Sequence, residues 1–453
     1  MMRTTMWTLA LLPTLALACG GDDGGRADAD VGPTSLGPPN TSETDPTGTA
    51  PSTGDASMGA SAEITGSPTS SADGSADGPL FDVGVPDVPG CGQGGGLDFS
   101  YIWVANSAQG TVSKIDTQTL TELGRYIVRP DSAGNPSRTS VNLVGDVAVA
   151  NRFGGVAKIY AQQDRCQESN GTPGIQTSSG AADILPWGTE ECLAWYTPVN
   201  QNQQRPVAWT SGTFDEDQCA YLDQKIWTTA SVANSAGTVV AMRLDGDTGT
   251  IEVQVPVPEL SSGGFGPYGG AVDANNDFWF HSRDSGLPHP LVHVSADGAS
   301  YEIFDVPDPV APYGITIDSS NRVWLAGYQG GSTRYDPMTA TWQTLPGVTG
   351  LGIQEDANGR MWMAMYPWET TRGVIAFDVE TMAIMQTIDM TAVTPNSRGI
   401  SIDFDGYVWM VDQTDSAFKI DPATQTWQQY QGLTGPYTYS DMTGWGLSLV
   451  STG

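Results

Sequence analysis

Gly399-Ile400-Ser401-Ile402-Asp403, Phe404-Asp405-Gly406-Tyr407 and Val408-Trp409 form the continuous stretch on which the fold turns. It reads as an apolar strand, a turn whose residues tolerate positive φ, and a second apolar strand. The same pattern recurs at Gly269-Gly270-Ala271-Val272-Asp273 with Phe278-Trp279, at Gly314-Ile315-Thr316-Ile317-Asp318 with Val323-Trp324, and at Gly352-Ile353-Gln354-Glu355-Asp356 with Met361-Trp362. In all four the Trp follows the Asp by six residues. A third strand ends in a basic residue, an apolar residue and Asp, as in Lys114-Ile115-Asp116, Arg243-Leu244-Asp245, Arg334-Tyr335-Asp336 and Lys419-Ile420-Asp421. A fourth, such as Thr341-Trp342-Gln343-Thr344 or Thr426-Trp427-Gln428-Gln429, completes a four-stranded meander.

Such a unit cannot bury both faces alone, so neighbours must stack around an axis, as blades of a β-propeller do. Second-strand markers at 103, 148, 231, 279, 324, 362 and 409 leave gaps of 45, 83, 48, 45, 38 and 47 residues. The expectation is an all-β chain, a seven-bladed propeller of four-stranded antiparallel blades. Six or eight blades are the alternatives, because the 83-residue gap must hold a blade plus an insertion. That insertion, at about 160–220, contains Cys166, Cys192 and Cys219. The chain joins the ring at Tyr101-Ile102-Trp103 with a second strand and no first. Gly446-Leu447-Ser448-Leu449-Val450 resembles a first strand and is expected to complete that blade, leaving no free edge.

Outward from the ring, residues 1–18 carry one cation, Arg3, before an apolar run from Trp7 to Ala18, the pattern of a secretory signal peptide. Leu15-Ala16-Leu17-Ala18-Cys19 resembles a bacterial lipoprotein cleavage box, which implies that Cys19 is diacylated, palmitate being the expected chain, and anchors the protein to a membrane. Gly20 in place of Asp implies the outer membrane or cell surface within the cell envelope. Residues 19–95, rich in Ser, Thr, Gly, Pro and Asp, bury too little apolar area to fold and are expected to be a disordered tether, with the propeller over 96–453. Across 453 residues, 19 bases stand against 51 acids, a net charge of −32, which excludes nucleic acid as a partner. Gly 55 and Pro 30 with 15% charged residues exclude a helical bundle. Cys91, Cys166, Cys192 and Cys219 are even in number and read as two disulfides with three connectivities. No Cys-x-x-Cys spacing occurs, which argues against a zinc site or redox dithiol.

Pro267-Tyr268-Gly269, Pro312-Tyr313-Gly314 and the constant Asp-to-Trp interval resemble the virginiamycin B lyase (streptogramin lyase) propeller family over about 230–453, and more loosely from 101. NHL-type propellers use similar strands for binding. The lyase resemblance implies a magnesium-dependent elimination that opens the ester of a cyclic antibiotic, with a catalytic His and a second His and Glu residues near the metal. This chain has His281, His289 and His293, no Glu-x-His segment, and Asn106, Ser282, Gly327, Met365 and Asp412 where the family often places Glu, so no catalytic residue carries over.

His281, two residues after Trp279 and on the same side of the strand, is a candidate catalytic residue with Glu355 or Asp412; its bland reading is a hydrogen-bonded blade histidine. His289 and His293 read as exposed loop histidines, since prolines oppose the helix that would bring them together. The repeated Asp residues read as acceptors of turn amides and the repeated Trp as packing between blades. Asp164, Glu168 and Asn170 form a candidate calcium loop, set against a disulfide-bound turn. Beyond magnesium or calcium no cofactor is expected. Tyr366-Pro367-Trp368 places an aromatic on a loop, where it could meet a glycan. Two functions follow: a surface lipoprotein binding or scaffold module for an unknown extracellular or envelope protein or glycan, and a metal-dependent lyase or hydrolase.

Overall fold

The computed structural model describes residues 100–284 and 287–451; the signal segment, Cys19, the tether and Cys91 lie outside the described residues. The six-residue interval has a local cause. Asp403 Oδ1 accepts the amides of Asp405 and Tyr407, closing the turn, while its Oδ2 accepts the Trp409 indole N–H at 2.8 Å. Asp273, Asp318 and Asp356 repeat both functions, with Trp279, Trp324 and Trp362 at 2.9, 2.8 and 2.7 Å. Each carboxylate thus fixes a hairpin tip and the rotamer of a buried tryptophan. Trp409 then packs on Ile102 and Val104 of the following blade, and Trp227 stacks on Phe278 with ring centres 5.5 Å apart.

Among the described residues seven antiparallel blades result, and in blades 2 to 7 the strands pair in sequence order from the innermost outward. Blade 1 holds Tyr101–Asn106, Thr111–Asp116 and Glu122–Ile127. Blade 2 holds Pro136–Val141, Val147–Asn151, Val156–Ile159 and Leu193–Thr197. Blade 3 holds Gln203–Trp209, Lys225–Ser231, Val240–Asp245 and Ile251–Pro256. Blades 4, 5, 6 and 7 begin with innermost strands Pro267–Val272, Ala311–Ile317, Gly350–Glu355 and Ser397–Ile402, and end with Tyr301–Asp305, Thr341–Pro346, Ile384–Asp389 and Thr426–Gln431. The apolar clusters lie between neighbouring blades. The basic residue of the third strand has a matching task. Lys114, Lys158, Arg334 and Lys419 each donate to a carbonyl of the next blade, at Ala161, Gly246, Glu380 and Thr117.

Three expectations are corrected. The second-strand marker of blade 3 is Trp227, not position 231, because a hairpin of Thr213–Asp215 and Ala220–Leu222 replaces the Asp turn there. The single insertion expected at about 160–220 resolves into two: a loop between Ile159 and Leu193, stapled by Cys166–Cys192, and that hairpin, which carries Cys219. Cys219 is also disulfide-bonded.

The third concerns closure. Blade 1 is completed by residues 436–442, not 446–450: Tyr437 N donates to Ala105 O at 3.0 Å and Trp103 N to Met442 O at 2.9 Å. Residues Trp445–Ser451 form a short helix, α1. Gly444, at φ +88°, turns the chain, and Asp441 accepts the amides of Thr443, Gly444 and Leu447 at the helix start. Leu447 and Val450, three apart on one helix face, pack with Val207, Trp209 and Ile315 at the end of the channel where the innermost strands finish. Among the described residues no helix is long and apolar enough to cross a membrane.

Candidate functional site: an arginine–tyrosine collar

At one level in six of the seven innermost strands the ladder slips. Register breaks fall at Ser137, at Arg205 with Pro206, at Tyr268, at Tyr313, at Leu351 with Gly352, and at Arg398. A β-bulge inserts an extra residue and re-aims its side chain. Repeated around the ring, it brings one side chain per blade to the mouth of the channel where these strands begin. Glycine follows several of them for want of space: a Cβ on Gly314 would collide with the Leu351 carbonyl of the next blade, and one on Gly399 with the Thr438 carbonyl. The channel below is correspondingly tight, with a cavity of about 40 Å³.

The collar so formed is aromatic and cationic. Tyr268, Tyr313, Leu351, Tyr437 and Tyr439 are buried together. The Tyr437 hydroxyl lies 2.7 Å from that of Tyr268 and 2.5 Å from that of Tyr313, and Arg398 Nη1 donates to Tyr313 at 3.0 Å. Arg138 sits 3.0 Å from the centre of the Tyr439 ring, Arg205 5.2 Å from Tyr268, and Arg283 4.6 and 4.3 Å from Tyr268 and Tyr328. Arg152 lies 4.8 Å from Tyr437. Exposure of Arg138, Arg205 and Arg398 is 1%, 5% and 6%. Among the described residues none of Arg138, Arg205, Arg283 and Arg398 forms an ion pair. Burial and the charge of Arg152 both press the Arg205 pKa down. Burial raises the Tyr313 and Tyr439 hydroxyls well above their ordinary range, so these phenols are neutral near pH 7. Among the described residues, five buried polar atoms at the collar lack a hydrogen-bond partner: Nε of Arg205, Arg283 and Arg398, Ser137 Oγ and the Tyr439 hydroxyl.

The residues singled out from sequence are not brought together. His281 is fully buried beside the collar, its Nε2 3.0 Å from the Tyr313 carbonyl, and burial pushes its pKa down to about 3, too weak a base for proton removal near neutrality. Glu355 lies at the opposite end of the channel, accepting the amide and hydroxyl of Ser319. Asp412 is at the collar end but is taken up by the loop before its blade, accepting Thr394 Oγ1 at 2.5 Å and the Asn396 amide at 2.8 Å. His289 is buried and His293 half-buried, contrary to the expected exposed loop. His293 takes the third-strand basic position of blade 4, stacking on Trp279 at 4.2 Å and bonding Asp277 at 2.9 Å.

Asp273, Asp277 and His293 form a grouping that could hold a metal ion, yet protein donors already occupy its carboxylates. In the calcium candidate, Asp164 and Glu168 are exposed, and Asn170 bonds Thr172 and Thr189. Glu191 organises that loop by accepting the amides of Ser169, Asn170 and Gln176. Trp368, 54% exposed, stands at the rim with its ring centre 5.2 Å from Tyr366 and 5.3 Å from the Arg398 guanidinium. Magnesium binds oxygen donors, carboxylates above all. The collar offers guanidinium and phenol groups, which do not fit it.

The collar escaped the sequence reading although a signal was present. The middle residue of Pro-Tyr-Gly marks the bulge, and Ser397-Arg398-Gly399 puts a guanidinium in the same slot.

No family model matches the chain, and no curated protein does. Among solved structures, a streptogramin B lyase is similar at 17% identity, with a TM-score of 0.47 over 68% of this chain and 86% of that one. A catalytically inactive virginiamycin B lyase from Staphylococcus aureus with quinupristin is similar at 14% identity, with a TM-score of 0.48 over 70% and 93%. A Bacteroides uniformis protein provisionally assigned as a 6-phosphogluconolactonase gives 11% identity and a TM-score of 0.51 over 75% and 98%. At these identities the likeness concerns the fold alone, and the seven blades are read from the chain's own sheets.

Proposed function

We propose that the chain is a ligand-binding propeller displayed at the cell envelope, which holds its ligand at the collar rather than transforming it. One observation carries the reading: among the described residues, Nε of Arg205, Arg283 and Arg398, Ser137 Oγ and the Tyr439 hydroxyl lie buried at the collar without a hydrogen-bond partner, while His281 and Glu355 stand at opposite ends of the channel and Asp412 is committed to a loop. Buried polar atoms are ordinarily satisfied, so such a convergence suits a surface awaiting a partner. The signal segment, the lipid box and the tether support display outside the cell, the tether giving the propeller reach from its anchor.

The test is to incubate the full chain with magnesium and a streptogramin-type cyclic ester and to follow ring opening by mass. The expected result is an intact ring. Turnover that His281→Ala abolishes would overturn the binding reading in favour of the lyase.

A further inference from the structure

We infer that the collar is the seat of a small multivalent oxyanion, a compound carrying two or more carboxylate, phosphate or sulfate charges; this deepens the binding reading and rests on it. The described residues contain seventeen bases, and most have an evident structural task. Eight form ion pairs: Arg125, Arg129, Lys158, Arg165, Lys225, Arg243, Arg322 and Arg360. Lys114, Arg334, Arg372 and Lys419 donate to backbone carbonyls of turns and loops. Arg138, Arg205, Arg283 and Arg398 form no ion pair among the described residues and lie together at the collar, where Arg138 and Arg205 donate to the carbonyls of Tyr268 and Phe265 and Arg398 to the Tyr313 hydroxyl. In a chain of net charge −32 this concentration runs against the overall composition.

Taking a guanidinium out of water costs several kcal/mol unless an anion compensates it. Here phenol rings and backbone carbonyls supply partial compensation through cation–π contact and hydrogen bonds, such as Arg138 to the Tyr268 carbonyl at 2.9 Å. The carboxylates near the collar are committed elsewhere: Asp284, next to Arg283, turns its Oδ2 to the amides of Gly263 and Phe265, and Asp412 turns its own to Thr394 and Asn396. A carboxylate at the collar would have neutralised it permanently. Neutral phenols leave the charge in place and can donate to an incoming oxygen. Guanidinium forks match the paired oxygens of carboxylate, phosphate and sulfate. A monovalent ion would leave most of the charge uncompensated, which is why the seat calls for a multivalent one.

Isothermal titration of the full chain with citrate, inorganic phosphate and sulfate, each at matched ionic strength, tests this and separates the oxyanion types. Saturable binding of at least one is expected, weakened about tenfold or more by Arg283→Gln and by Arg398→Gln, as loss of one charge-assisted contact implies. In the ligand-free protein Arg205→Met should raise Tm, whereas an arginine serving only to hold the fold would lower it when replaced. Should the variants not fold, phenylglyoxal modification of the wild type, mapped by mass spectrometry, gives the same answer: the bound ion should protect Arg283 and Arg398 selectively. No saturable heat with any of the three, or binding untouched by both substitutions and without protection, overturns the oxyanion assignment. A neutral saccharide that binds the wild type and quenches Trp368 would likewise overturn it, while leaving the binding reading standing.

Discussion

At Glu355 burial is the main reason the carboxyl titrates near about 7, with the Asp318 charge adding to it and the Ser319 hydrogen bonds opposing. The folded value lies above the unfolded one of 4.5, so the native state holds this proton more tightly. The stability it contributes is complete below about pH 4.5 and is lost as pH rises through about 7. Glu355→Gln, which keeps an acceptor for Ser319 without the charge, should raise Tm at pH 8 by about 2–4 °C and leave it nearly unchanged at pH 5. Paired thermal melts at the two pH values check this. Asp403, raised to about 6 by burial, works in the same direction. A carboxyl that sequence suggested for catalysis thus has a stability role with a definite pH signature.

Among the elements, the Asp-to-Trp hairpins were the most legible, because one carboxylate specifies both the turn and the tryptophan within six residues. Where that carboxylate is missing the spacing fails: position 221, six before Trp227, is a tyrosine on the inserted hairpin. Gly446 to Val450 misled for another reason, since a short apolar run satisfies strand alternation and helical i, i+3 spacing equally well, and packing against Val207 and Ile315 decides for the helix. The collar was legible only in part, as its bulge residues come from distant segments and meet through ring closure alone. The loop between Ile159 and Leu193 has no strand of its own and depends on Cys166–Cys192, 26 residues apart, and on Glu191. Cross-linking a loop of that size is worth about 3 kcal/mol against the unfolded chain. Mild reduction followed by limited proteolysis should cut first between Gln163 and Glu190, with the blades still resistant; first cuts inside a blade would contradict it.

For the whole molecule, charge and site oppose each other, and ionic strength should separate them. An oxyanion approaching a protein of net charge −32 is repelled at long range and attracted only at the collar. Salt screens the exposed acids over a length that falls from about 30 Å at 0.01 M to about 8 Å at 0.15 M, and screens the buried arginines far less. The association rate of the bound probe should therefore rise by several-fold between these salt concentrations, where a surface patch of arginines would show a fall; stopped-flow quenching of Trp368 measures it. The same ring has an order of manufacture. Trp103 waits for Met442 before blade 1 is complete, and Tyr437 and Tyr439, which line the collar, leave the ribosome after every other collar residue. No truncated intermediate carries a finished seat. In a chain exported as proposed, the seat would first exist on the far side of the membrane, out of reach of the concentrated phosphates and organic acids of the compartment in which the protein is made.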